Sequence, residues 1–354
     1  MTTNRRFFLK SLGGVVALSW MDLRQLAAQE LHGNAATDDA VRIIIPRSYV
    51  PPADLSENYF RKRLTRAILD FLEAHYRDKP MPVWHRRFGE VDLEKRVYNI
   101  TYWLLRSVQE QRRIYPVDPI WVMAQMMKES YFYEFAVSSS LAVGICQFIQ
   151  PTAEAYNMLC AGRRPDHGQP PYRQYHLAGK VAEYYQLRDE QRSYRRNNRP
   201  AKRFSLEETL QIIRSGNADQ YREAAGNYLD YLETYESFHE KRRQARDDFK
   251  LYLQANVEGR NIFDNRDLEF ILNFDERFTY KKPVDGMVRM MAEALRARHG
   301  NILAAAIAYN AGLGSTAEAD DPYSDYGKIP AIEQSTTYLS HVIVNHYEIS
   351  RRMG

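Results

Sequence analysis

The chain has 354 residues, enough for a large core and two or three subdomains. Hydrophobic residues make up 44% and charged residues 27%, ordinary for a globular protein. A formal net charge of +4 is too weak by itself to argue for nucleic acid, and it is compatible with an anionic polymer.

The N-terminus carries Arg5-Arg6 followed by Phe8-Leu9-Lys10, the pattern of a twin-arginine export signal. Leu12 to Trp20 forms a short apolar segment, far below the roughly 20 residues that span a bilayer. Residues 1–36 are therefore read as a signal peptide outside the fold, with small residues at Ala27-Ala28 and Ala35-Ala36 offering cleavage sites. No lipobox cysteine is present, and the expected location is the periplasm.

Residues 37–115 read as an N-terminal helical region. Asp38 to Pro52 is extended, with Val41, Ile43 and Ile45 alternating before a proline-rich stop. Ser56 to Tyr76 reads as a helix burying Leu64, Ile68, Phe71 and Leu72, and Lys79-Pro80-Met81-Pro82 breaks it. Asp92 to Arg113 is a second helix, with Val97, Ile100, Leu104 and Val108 on one face. No chemistry is evident in this pair. His75 and His85 are too isolated to be metal ligands, and neither a metal site nor a phosphate loop is expected anywhere in the chain.

Asp118 is placed to cap a helix that Pro119 opens, because the missing proline N–H costs nothing in a first turn. Ile120, Met123, Met126 and Met127 recur at helical spacing, and Glu129 follows directly. A carboxylate beside desolvating side chains has its proton affinity raised, which suits general-acid work near neutral pH. Taken alone, a glutamate ending a helix is more often simply solvated.

Residues 158–273 interrupt this region. Arg163 to Arg173 reads as a loop, and Leu187 to Phe204 is strongly basic, a pattern that a solvated helix face usually explains. Ser205-Leu206-Glu207-Glu208 has the form of a helix start. Ala218 to Ala255 reads as one long amphipathic helix or a bent pair. Val284 to His299 is helical with Met287, Met290, Met291 and Leu295 inward, and Gly300 ends it. Ile302 to Tyr309 is a short helix rich in small residues, followed by a turn at Gly312 and Gly314. Ser335 to Arg351 closes the chain as a helix.

What surrounds Glu129 makes the reading specific. Glu129-Ser130, Phe132, Ala136, Ser138, Ala142, Gly144, Gln147 and Pro151-Thr152-Ala153 stand in the order and spacing of the first motifs of the soluble lytic transglycosylase family, relatives of goose-type lysozyme. Ala308-Tyr309-Asn310-Ala311-Gly312 is similar to the second motif, and Thr337-Tyr338-Leu339 to the last. The resemblance covers roughly the catalytic half of the chain, residues 116–157 and 274–354. It implies a mainly α fold: a lysozyme-like helical lobe, here with a helical N-terminal scaffold and a long helical insertion at 158–273.

The resemblance further implies that Glu129 is the catalytic acid in cleavage of peptidoglycan between N-acetylmuramic acid and N-acetylglucosamine, and that no cofactor takes part. Glu129 then acts as a base and the product ends in 1,6-anhydromuramic acid. Ser138, Gln147, Tyr309 and Asn310 are implied to hold the sugar, its N-acetyl group or the acid itself, and Tyr338 to line the substrate groove. No second acid is evident in the block. Glu134 lies five residues on, but the family carries no conserved acid there.

Three positions depart from the family pattern: Leu141 stands for a glycine, Cys146 for a methionine, and Gln334 for a glutamate beside Glu333. Cys146 and Cys160 are the only cysteines, and two buried free thiols are expected. Two alternatives stay open, a goose-lysozyme-like muramidase that uses water and a non-catalytic wall-binding scaffold.

Overall fold

The computed structural model describes residues 43–51, 57–317 and 324–353. The twin-arginine segment lies outside these described residues. Among them the chain forms eleven α-helices joined by short 3-10 turns, with three isolated β-bridges. The mainly α class is what the helical periodicities predict. The chain divides into two compact units, one made of Val137–Leu141 with Cys160–Asp267, the other of the remaining described residues.

The larger unit begins where Ile44 bridges Asn301 antiparallel and the Ile45 N–H donates to the Gly300 carbonyl. A side chain at Gly300, which has φ of 88°, would overlap the Ile45 carbonyl, so glycine is required there. Helix α1 (Glu57–Tyr76) buries Leu64, Ile68, Phe71 and Leu72. Helix α2 (Leu93–Gln111) is capped by Asp92, which accepts from the Lys95 N–H, and buries Val97, Ile100, Leu104 and Val108. The two helices pack on each other.

Helix α3 (Pro119–Ser130) starts at the Asp118 cap, whose side chain accepts from the Ile120 N–H. A single apolar stripe is expected here, yet Trp121, Val122, Met123, Ala124, Gln125, Met126 and Met127 are all buried. Helix α3 is thus enclosed nearly all round, and Ile120 of the expected stripe is only half-buried. Helix α4 (Gln150–Ala155) follows the loop of residues 142–149.

The same unit closes with α9 (Lys281–Ala297), α10 (Ile302–Ala311) and α11 (Glu333–Met353). Helix α2 packs on α9, where Ser107 and Gln111 both donate to Asp285 Oδ1 at 3.2 and 2.9 Å. Met287, Met291 and Leu295 are buried on α9, while Met290 is half-exposed. Helix α11 lies along α3 and α1, and α10 packs on both α9 and α11. Two polar ties hold α11 to α3: Asn345 Nδ2 donates to the Ala124 carbonyl at 3.1 Å, and His346 pairs with Asp118 at 3.0 Å. Helices α1, α2 and α3 therefore share one core with α9 and α11.

The smaller unit is built on α5 (Lys180–Asn197), α6 (Leu206–Ser215) and α7 (Arg222–Val257), and α8 (Asn265–Phe274) spans its end. Where either a long helix or a bent pair was compatible with the pattern, a single helix of 36 residues runs from Arg222. It packs against α5, with Tyr194 stacked on Tyr231 at 5.5 Å between ring centroids. The Ser205 hydroxyl caps α6 by accepting from the Glu208 N–H at 3.1 Å. In the basic stretch Arg188 pairs with Asp189 and Lys202 with Glu208, while Arg195, Arg196, Arg199 and Arg203 are exposed, a solvated face. Both cysteines are buried and neither is in a disulfide.

Candidate active site

Glu129 sits in the last turn of α3, one residue before the helix ends. The chain leaves the helix through two successive left-handed residues, Tyr131 at φ 50° and Phe132 at φ 63°. That conformation costs a non-glycine residue about 1 kcal/mol. It is held from outside: Trp84 Nε1 donates to the Tyr131 carbonyl at 2.8 Å, the Tyr131 and Tyr76 hydroxyls meet at 3.0 Å, and Phe132 is fully buried. The Ser130 hydroxyl donates to the Ile145 carbonyl at 2.9 Å, tying the helix end to the loop of residues 142–149.

That loop turns back on itself. The Gly144 N–H donates to the Ala136 carbonyl at 2.9 Å and the Val143 N–H to the Phe148 carbonyl at 3.1 Å. A Cβ on Gly144, at φ 78°, would overlap the Arg277 carbonyl. Arg277 is fixed in turn by a buried two-bonded pair with Asp275 and by donating to the Phe148 carbonyl at 3.2 Å. Gln147 takes a positive φ of 51° and its amide donates to the Gly144 carbonyl at 2.8 Å. The structure thus gives Gln147 a bracing contact within the loop.

Burial raises the Glu129 carboxyl from its ordinary 4.5 to about 7, against the opposing pull of the Tyr338 hydrogen bond and of Lys128. Its place at a helix C-terminus, where the carbonyl ends are partly negative, acts in the same direction as burial. Tyr338 on α11 donates its hydroxyl to Glu129 Oε1 at 2.8 Å. Tyr338 in turn accepts from Gln125 Nε2 at 3.1 Å. Lys128, half-buried, is pushed below its usual range by desolvation, with Glu129 pulling the other way. Tyr309 on α10 donates to the Cys146 carbonyl at 2.6 Å. Burial raises both the Tyr309 and Tyr338 hydroxyls well above their usual range, so each stays protonated as a donor.

Glu129 and Tyr338 are thus brought into direct contact, and Tyr309 and Cys146 lie within electrostatic reach of the acid. Asn310 is exposed at the end of α10. Ser138 belongs to the smaller unit, where its hydroxyl bonds that of Ser140 at 3.0 Å. Leu141, the departure from glycine, has φ of 61° and is buried. The glycine of the family pattern is accordingly matched here by a leucine held in a left-handed conformation. Glu134 is fully buried and accepts three hydrogen bonds from Arg96, at 2.8 to 3.1 Å. It braces the turn after the acid, and among the described residues no second carboxylate contributes to the shift of Glu129.

Sequence reasoning passed over Gln125, whose one signal is an amide inside an otherwise apolar run, and Lys128. It also passed over the carbonyl of Cys146, which has no signal, because a backbone acceptor is the same for any residue type.

Residues 106–181 match the family model described as the Transglycosylase SLT domain, which takes in all of α3, Glu129 and the loop through Gln147. The resemblance to the soluble lytic transglycosylases therefore holds on the segment that carries the acid. An SLT domain has a lysozyme-like helical fold, and the activity associated with it is that of a transglycosylase on peptidoglycan. The Ala308–Gly312 motif and Tyr338 lie beyond the matched residues. Neither a curated protein nor a solved structure matches the chain.

Proposed function

We propose that this protein is a peptidoglycan lytic transglycosylase in which Glu129 serves first as acid and then as base. The observation that carries the reading is a carboxyl group half-buried at a helix end, with its proton affinity raised to about 7 and a tyrosine donor aimed at it. A general acid works best when its pKa lies near the operating pH. Retaining glycosidases usually add a second carboxylate about 5 Å away, and inverting ones add it farther off to activate water. Glu134 is committed to Arg96 and, among the described residues, no other carboxylate acts on Glu129, so the proposal gives both steps to one carboxyl group.

Protonated Glu129 gives its proton to the glycosidic oxygen as the bond to the muramic anomeric carbon breaks. The substrate's own N-acetyl group stabilises the positive charge at that carbon, as in other substrate-assisted enzymes. Glu129, now a carboxylate and held by Tyr338, takes the proton of the muramic 6-hydroxyl. That oxygen closes on the anomeric carbon to form the 1,6-anhydro ring, and no water is consumed. The attacking group already belongs to the sugar, so a bimolecular step becomes intramolecular.

Ser138, Gln147, Tyr309 and Asn310 belong to this proposal as substrate-binding residues, and Tyr338 as a groove residue that also holds the acid. The twin-arginine pattern belongs to it as the route to the periplasm, where the polymer lies. Glu129→Gln keeps shape but neither gives nor takes the proton. Turnover of purified sacculi by this variant should fall by ~10²–10⁴-fold, and undiminished turnover would remove Glu129 from the reaction.

A further inference from the structure

Gln125 lies one helical turn before Glu129 on α3, so the two side chains share a face. It is completely buried, a costly place for an amide. One end of the amide is used: Nε2 donates to the Tyr338 hydroxyl oxygen at 3.1 Å. The other end, Oε1, is buried and has no donor among the described residues. A core position that needed only volume would be filled by an apolar side chain such as methionine, as positions 123, 126 and 127 are.

A tyrosine hydroxyl has one proton to give. With Gln125 donating to its oxygen, that proton has a single partner left, Glu129 Oε1 at 2.8 Å. Among the described residues no other group donates to the Tyr338 hydroxyl. A chain of hydrogen bonds also polarises its members, so the amide makes the hydroxyl a stronger donor. We propose that Gln125 is a positioning residue for the reaction, one that aims the Tyr338 hydroxyl at the Glu129 carboxylate. The inference rests on the reading of Glu129 as acid and base.

The groups facing Glu129 are Lys128 from its own helix, Cys146 from the loop, Tyr309 from α10 and Tyr338 from α11, while His341 on α11 faces Lys128. Of these only Tyr338 makes a hydrogen bond to the carboxylate. Without Gln125 the hydroxyl is free to turn and accept from protonated Glu129. The protonated form gains and the carboxylate needed for ring closure loses.

The test follows the Glu129 carboxyl by 13C NMR in the full chain labelled at glutamate, its signal assigned by its loss in Glu129→Gln. Gln125→Met keeps volume and removes the donor. It should raise the Glu129 titration midpoint by ~0.5–1 unit, and Tyr338→Phe should raise it at least as far. In the Tyr338→Phe background Gln125→Met should have no further effect, because Gln125 acts only through that hydroxyl. The pH–rate profile on sacculi should move up by the same amount. The melting temperature of Gln125→Met should equal or exceed that of wild type, since an unpaired buried acceptor is removed.

An unmoved midpoint in Gln125→Met overturns the proposal, as does a shift that persists undiminished in the Tyr338→Phe background. Gln125→Leu is read in parallel. Failure of both variants to fold would show Gln125 to be structural and would equally overturn it. Wild-type protein without products would instead remove the proposed function, and the titration would still decide what Gln125 does to Glu129.

Discussion

Glu129 works against the fold that holds it. Between the ordinary carboxyl value of 4.5 and about 7, the folded chain keeps a proton that the unfolded chain has released. Stability therefore falls as pH rises through that window and is fully retained below it. The ceiling for such a shift is about 3 kcal/mol, and the partial exposure of this residue lowers it. Glu129→Gln should accordingly be more stable than wild type by about 1–3 kcal/mol at pH 8 and nearly matched to it at pH 4.5. Denaturant melts at the two values check this, and the same difference at both would contradict the burial of the acid. Glu129 itself was legible in the residues around it. Its contacts were not: the donor Tyr338 lies 209 positions away and the positioning amide 213 positions from that tyrosine. Glu134 looks from its spacing like any acid near an active site, and only the fold brings Arg96 onto it from 38 residues back.

The helices were the most readable elements, because their ends are set by local chemistry. Asp118 with Pro119, Asp92 and Ser205 each cap the helix they announce. Less readable was how far each helix is enclosed. The periodicity of α3 shows one apolar stripe, whereas packing by α11 and its neighbours buries nearly the whole circumference. Val344 and Tyr347 on α11 point outward, while Tyr338, Leu339 and Val342 face the core. Of the two glycines expected to free the turn after Asn310, only Gly312 takes a positive φ, at 86°. The loop of residues 142–149 depends on Gly144 in a different way, through the Arg277 carbonyl that occupies the space of a side chain. Gly144→Ala forces that backbone apart and adds a left-handed alanine, so a loss of about 2–4 kcal/mol is expected together with most of the activity. A variant as stable and active as wild type would mean that the loop does not depend on this close approach.

At the scale of the whole molecule, α3 shares a core with α1, α2 and the three C-terminal helices, while Val137–Leu141 groups with the unit of residues 160–267. A short stretch of the first motif thus belongs to a body made largely of another part of the chain. Periodicity and motif spacing do not reveal this, since five residues carry no period of their own. The reaction itself is the central claim, and it leaves a chemical signature that no packing argument supplies. Sacculi digested by the wild-type protein should give muropeptides ending in 1,6-anhydro-N-acetylmuramic acid, each lighter by one water than a hydrolysed product and unchanged by sodium borohydride. Mass spectrometry reads both properties, and reducible ends one water heavier would contradict ring closure by the 6-hydroxyl and make the protein a hydrolase.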